Sequence, residues 1–254
     1  MGKQAFGKGK GREMKSILAM AKYRYHIWKQ GHLYVMPLVM LALYGGFCYS
    51  IRPARLVTCV VMLCFVLFFT MVWMGHAIGD REDPVQEQLL YLRVLRKSTY
   101  YIGRNLFLLA VQLIFAALGT AMPLLLTVMG TGTFSGETAP GELAQSFFLL
   151  WGCAGAGIAL GSLLSPRVMR DRRLSLLLTV LLTAMSVLSP ALKKYAVVKW
   201  LVRLLPPISA VGEVYGNSNS YVPKSTFFLW GILLLYSAAC LALRDIISHK
   251  RGFL

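Results

Sequence analysis

Apolar and polar residues fall into long blocks along this chain. Six blocks are apolar nearly throughout: Leu33–Ile51, Leu56–Ile78, Asn105–Met129, Leu143–Leu164, Leu174–Leu192 and Thr226–Leu243. Each is close to the about 20 residues that a helix needs to cross the hydrocarbon core of a bilayer. The pattern predicts an all-α membrane protein with six transmembrane helices. It forms one transmembrane domain over 1–254: a basic tail and interfacial helix (1–32), the six-span bundle (33–244) and a cytoplasmic tail (245–254).

Three polar or mixed stretches add elements to the spans. Met14–His32 reads as an amphipathic helix, with Met14, Ile17, Leu18, Ala21, Tyr25 and Trp28 on one face and Lys15, Lys22, His26 and Lys29 on the other. Such a helix lies in the plane of the interface, lysines toward anionic headgroups. Gly79–Arg104 begins acidic (Asp80, Glu82, Asp83, Glu87) and ends basic (Arg93, Arg96, Lys97, Arg104). It predicts a short helix over 83–96. Asp83 is placed as N-cap, Pro84 at the first helical position and Gln86 to close a capping box. Val85, Leu89 and Leu92 then share a face. That helix either lies on lipid or docks a cytosolic partner. Lys193–Ser225 is too apolar for a free loop and too charged to span. Val197, Trp200, Leu201 and Leu204 form an apolar stripe ended by Pro206-Pro207. One or two short helices at the outer face are expected, either a plain interfacial element or an outer gate.

Charge then orients the bundle. The formal net charge is +17 with 57% hydrophobic residues. In a soluble domain that charge would suggest nucleic acid. Here the basic residues flank spans, so anionic lipid accounts for them and no nucleic-acid partner is expected. Twenty Lys and Arg residues fall on the side of the N-terminal segment and seven on the other. The positive-inside rule places both termini, Gly79–Arg104 and Pro166–Arg173 in the cytoplasm of a multi-pass plasma-membrane protein. The N-terminus stays polar for over thirty residues before the first apolar run, too long for the basic region of a cleavable signal peptide.

Candidate chemistry is sparse. The five cysteines lie singly in apolar runs and read as core residues. The four histidines make no metal-ligand spacing. His76 and Asp80 stand four apart, the spacing of a local hydrogen bond. No GxSxG and no serine-histidine-acid order is present. Gly2–Gly9 resembles a Walker A loop, but Gly9 stands where Ser or Thr must hold magnesium. No catalytic residue, metal or cofactor is therefore expected in this chain. Gln112 is one of few strongly polar side chains inside a span, which argues against ion-coupled transport. Pro123 predicts a kink in the third span. Gly157 and Gly161 have GxxxG spacing, which fits either a subunit interface or packing within one chain.

An in-plane helix, six spans, a docking helix after span two and short helices before span six together resemble the permease subunit of type-2 ABC exporters. The residues that carry the likeness are Asp83, Glu87, Leu89 and Leu90, then Ser98–Arg104 (STYYIGR) and Trp200–Val211 (WLVRLLPPISAV). Pro84 departs from the small residue the family often has there. The resemblance implies two permease chains, identical or paralogous, forming the pathway, and two cytosolic ABC ATPase subunits that hold ATP and magnesium. It implies that Asp83, Val85, Glu87, Leu89, Leu90, Leu92 and Arg93 form the coupling helix. Arg170, Asp171 and Arg172 would make a second cytoplasmic contact, and Trp200, Leu204, Pro206 and Pro207 an outer gate. The rival expectation is a non-transport membrane scaffold or immunity protein that acts by binding.

Overall fold

A computed structural model of the chain describes residues 2–50, 52–81, 97–130, 132–134, 139–169, 171–192, 205–216, 218 and 220–251. Ten helices are found among these residues: α1 (Gly2–Gln30), α2 (Val35–Ser50), α3 (Leu56–Arg81), α4 (Lys97–Val128), α5 (Pro140–Leu163), α6 (Pro166–Met169), α7 (Arg172–Val187), α8 (Ser189–Leu192), α9 (Ile208–Tyr215) and α10 (Pro223–Arg251). The only β feature among them is an isolated bridge between Ala54 and Phe134.

The helix boundaries follow from proline, capping and charge. α5 starts at Pro140 behind an extended Ala139, with Glu142 in its first turn complementing the helix dipole. It stops three residues before Pro166, which forbids continuation. Asp171 caps α7, accepting a hydrogen bond from the Arg173 amide at 2.9 Å. Pro190 stands one residue into α8 and separates that turn from α7. α4 continues past Pro123 as one helix.

Among the described residues, four helices are long and apolar enough to cross a membrane: α3, α4, α5 and α10. Together they make this an all-helical chain of membrane-spanning character. Two of the six expected spans fall short of that length. α2 and α7 have 16 residues each, about 24 Å at 1.5 Å per residue, against a hydrocarbon core of about 30 Å. α2 meets the length only in combination with α1, from which it is bent by 68°. The turn between them holds His32 at φ 50°. α7 loses its last residues to the break before α8.

α5 is the hub of the bundle and packs on α3, α4 and α10. Its apolar window is 78% buried, against 28% for α10, so α5 is enclosed and α10 is peripheral. The residues from Gly152 to Ser162 are buried without interruption, the mark of a helix covered on all sides. Glycine makes this possible. A Cβ on Gly161 would stand 2.0 Å from the Val72 carbonyl oxygen, and one on Gly157 would stand 2.7 Å from that of Phe68. Across the same seam, a Cβ on Gly75 would meet the Ile158 carbonyl oxygen at 2.5 Å. The GxxxG pair is thus used inside one chain, for backbone contact between α3 and α5, and not as a free surface for a second subunit.

The contacts also define two ends of the bundle. At one end lie α1, the start of α4, the α5–α7 turns and the last turns of α10. At the other, the Ala54 amide donates to the Thr133 carbonyl at 2.8 Å, joining the α2–α3 and α4–α5 connections, and α9 packs on α3 and α10. Six helices (α2, α3, α4, α5, α7, α10) run alternately between these ends.

Candidate functional site

The densest polar constellation lies at the α1 end. Packing explains how α1 reaches it. Met20, Arg24 and Trp28 form its buried edge, at spacings of four residues, while Met14, Leu18 and Tyr25 are exposed beside the lysines. The broad apolar face expected from the sequence is thus divided, one edge on the protein and one open to the surroundings. α1 lies flush on α4, since a Cβ on Gly103 would meet Met20 Cβ at 2.9 Å and the Ile17 carbonyl oxygen at 3.2 Å.

Three buried arginines from three helices meet there. Arg24 donates from Nη2 to the Tyr100 phenol oxygen at 2.7 Å. Arg104 donates from Nη2 to Asp245 Oδ1 at 2.5 Å and stacks 5.4 Å from the Tyr101 ring centre. Asn105 donates to Asp245 Oδ2 at 2.8 Å. Arg244 donates to Asn105 Oδ1 at 2.8 Å and to Asp245 Oδ1 at 3.2 Å. The Asp245 carboxylate is thereby shared by two guanidinium groups and an amide, a charge-assisted network that joins α4 to α10. Beside it opens a small cleft between α1, α3, α4, the α5–α6 turn and α10.

A second tie joins α3 to α7. Arg172 donates to Asp80 Oδ2 at 2.7 Å. His76 Nδ1 lies 3.4 Å from Thr179 Oγ1. The expected His76–Asp80 pairing is thus replaced, because α7 brings each residue a partner from another helix. The buried face of α7 carries hydroxyls (Ser175, Thr179, Thr183, Ser186), while Leu174, Leu176, Leu177, Val180 and Leu181 are exposed. This inverted helix keeps its hydroxyls satisfied on backbone carbonyls. Ser175 donates to Leu164, Thr179 to Ser175 at 2.7 Å and Thr183 to Thr179 at 2.5 Å.

At the far end, neutral groups join α5, α9 and α10. The Tyr215 and Thr226 hydroxyls lie 2.7 Å apart, and Thr226 reaches Gln145 Oε1 at 3.1 Å. Ser146 donates to the Tyr221 phenol oxygen at 3.1 Å, and burial pushes that phenol well above its ordinary pKa. Ser189 and Ser209 hydroxyls bond to each other, tying α8 to α9.

The expected site residues distribute as follows. Asp83, Val85, Glu87, Leu89, Leu90, Leu92, Arg93, Arg170, Trp200 and Leu204 lie outside the described residues. Asp171 serves as the α7 cap and Arg172 as the partner of Asp80. Pro206 is buried and Pro207 caps α9, whose Ile208, Val211 and Tyr215 are fully buried. Gln112 is buried, and its Oε1 would meet a Cβ placed on Gly155 at 2.4 Å. The third span begins earlier than expected: Lys97–Arg104 is already helical, with Tyr100 and Arg104 buried. Sequence reasoning missed Arg24, Tyr100, Asn105, Arg244 and Asp245. One signal existed for Arg24, which sits in the Met20–Arg24–Trp28 series between two apolar anchors. Arg244–Asp245 looked like an ordinary span terminus.

Among the described residues no group of three His, Cys, Asp or Glu side chains comes together as a metal site. The arrangement offers charge-assisted clamping of helix ends and a basic cleft. No family model matches the chain, and a search of curated proteins returned no match.

Proposed function

We propose that the chain is the transmembrane permease subunit of an ATP-driven type-2 ABC exporter, working as a dimer with separate cytosolic ATPase subunits. In this reading α2 and α7 are the short members of six spans. The α1 end is the cytoplasmic one, and the membrane is the plasma membrane. The segment 83–96 receives the motion of the ATPase.

One observation carries the reading. The two helix ends that bracket residues 82–96 are each tied to other helices by polar contacts. On the α3 side Asp80 holds Arg172, which lies in the stretch read as the second cytoplasmic contact. On the α4 side Arg24 holds Tyr100, and Arg104 holds Asp245. A push on the segment therefore reaches α1, α7 and α10 directly. ATP shifts a conformational equilibrium only through contacts that differ between states, and a segment so connected supplies them.

The test is co-purification from native membranes in mild detergent with mass spectrometry, followed by ATP turnover of the recovered complex. A stoichiometric ATPase partner, lost in Glu87→Lys with Leu89→Ala, is the expected result. A homo-oligomer with no ATPase, under detergent shown to preserve known complexes, would replace this reading with a membrane scaffold.

A further inference from the structure

We propose that Cys48 and Cys59 are a redox site, a dithiol that closes to a disulfide across the α2–α3 hairpin at the end of the bundle away from α1. The inference goes beyond the permease reading. It rests only on the orientation read from charge, which puts the α1 end in the cytoplasm and this end on the side where disulfides form and persist.

Hairpin geometry brings the two residues level. α2 ends at Ser50 and α3 begins at Leu56. Cys48 stands two residues before the first point and Cys59 three after the second, so two helices running in opposite directions set them side by side. The contacts agree. The Cys59 and Cys48 thiols share a hydrogen bond. The Tyr44 phenol donates to Cys48 Sγ at 3.4 Å and to the Cys59 carbonyl oxygen at 3.4 Å, so one hydroxyl holds both residues together. Both carry free thiols. A disulfide needs the two Cβ atoms about 4 Å apart, and thiols already in hydrogen-bond contact need only a small further approach.

Access separates this pair from a second one. Cys64 and Cys153 also share a thiol hydrogen bond, between α3 and α5. Both are 0% exposed and lie in the main core, where no oxidant reaches them. Cys48 is partly exposed beside the open Phe47, whereas Cys59 is buried at 5%. Exchange therefore starts at one sulfur and finishes at the other.

The step is thiol–disulfide exchange with an external disulfide, held by an oxidised dithiol protein or by oxidised glutathione. Cys48, as its thiolate, attacks one sulfur of that disulfide, forming a mixed disulfide and releasing the first thiolate. Cys59 gives up its proton, attacks the Cys48 sulfur and releases the second. The two protein thiols lose two electrons and two protons, and the external disulfide is reduced to two thiols. The closed pair ties to α3 a helix that leaves Leu38, Val39, Leu43 and Phe47 exposed.

The experiment takes the full-length chain in its native membranes. Thiols are trapped with acid and the protein is denatured. Free cysteines are then counted by gel shift with maleimide–polyethylene glycol, with and without prior reduction. Two fewer labels before reduction than after are expected, with a Cys48–Cys59 linked peptide in the mass spectrum. Cys48→Ser and Cys59→Ser should each abolish the difference, and Cys153→Ser should keep it. The linked peptide identifies the pair in the parent chain even where a variant fails to fold. The same count is made on purified protein in oxidised glutathione, where orientation plays no part. No link there overturns the pairing. A link there but none in the membrane overturns the proposal through its orientation, with the pairing left standing. A link through Cys64 or Cys153 in place of Cys48 and Cys59 overturns the assignment.

Discussion

The two ends of this bundle are closed by different chemistry. At the α1 end, guanidinium groups, a carboxylate and an amide interlock across α4 and α10, and Arg24 ties α1 to α4. At the far end, phenols, hydroxyls and one amide carbonyl make neutral hydrogen bonds among α5, α9 and α10. Removing one partner of a buried ion pair costs about 3–5 kcal/mol. A neutral intramolecular hydrogen bond contributes only about 0.5–1.5 kcal/mol net, because water competes for both groups. Truncating one partner is therefore expected to cost more at the charged end than at the neutral contacts.

The glycine seam between α3 and α5 connects the two ends, and it is where the largest effect is expected. Gly161→Val places carbon against the Val72 carbonyl, a backbone atom that moves only if α3 moves. Overpacking of this kind costs about 1–3 kcal/mol when side chains can adjust, and here they cannot. Loss of folded protein in size-exclusion profiles is the expected outcome. Gly231→Ala on α10 is its control. A Cβ there meets nothing within 4 Å, and the helix gains up to about 1 kcal/mol of propensity. Equal behaviour of the two variants would remove the seam from the account.

Next in size is the charged joint. Asp245→Ala leaves the buried Arg104 without its carboxylate and should cost about 3–5 kcal/mol, seen as a drop in the thermal midpoint. At the far end, Tyr215→Phe removes the hydroxyl shared with Thr226 and Val222 and should cost about 1 kcal/mol. The comparison of the ends fails if the second loss equals the first.

Sequence carried some of this picture and not the rest, for a physical reason. The long spans were legible because hydropathy is a local average and lipid rewards it residue by residue. α3, α5 and α10 begin within three residues of the expected Leu56, Leu143 and Thr226. The short spans were less so: an apolar run from Leu174 to Leu192 says nothing of the break that Pro190 introduces. The charged joint was the least legible. Arg104 and Asp245 are 141 residues apart, and Arg24 and Tyr100 are 76 apart. Each looks like a span-flanking charge or an interfacial aromatic until a partner helix arrives. Spacing identified Gly157 and Gly161 as a close-packing pair, while only the fold shows that α3 is the partner.

The smallest expected effect on stability discriminates most between a static clamp and a working lever. The Arg172 side chain is 76% exposed where it meets Asp80. An ion pair so open to water contributes about 0–1 kcal/mol, and salt screens it further. Arg172→Gln should therefore leave the thermal midpoint within about a degree or two of the parent. Under the permease reading it should nevertheless reduce partner-stimulated ATP turnover, because it uncouples α7 from the end of α3 where the segment 82–96 departs. Restoring opposite charge with the pair exchanged, Asp80→Arg with Arg172→Asp, should recover turnover in part. If turnover stays at the parental level in Arg172→Gln, the α3–α7 tie transmits nothing. The lever would then rest on the α4 side alone, on Arg104 and Asp245.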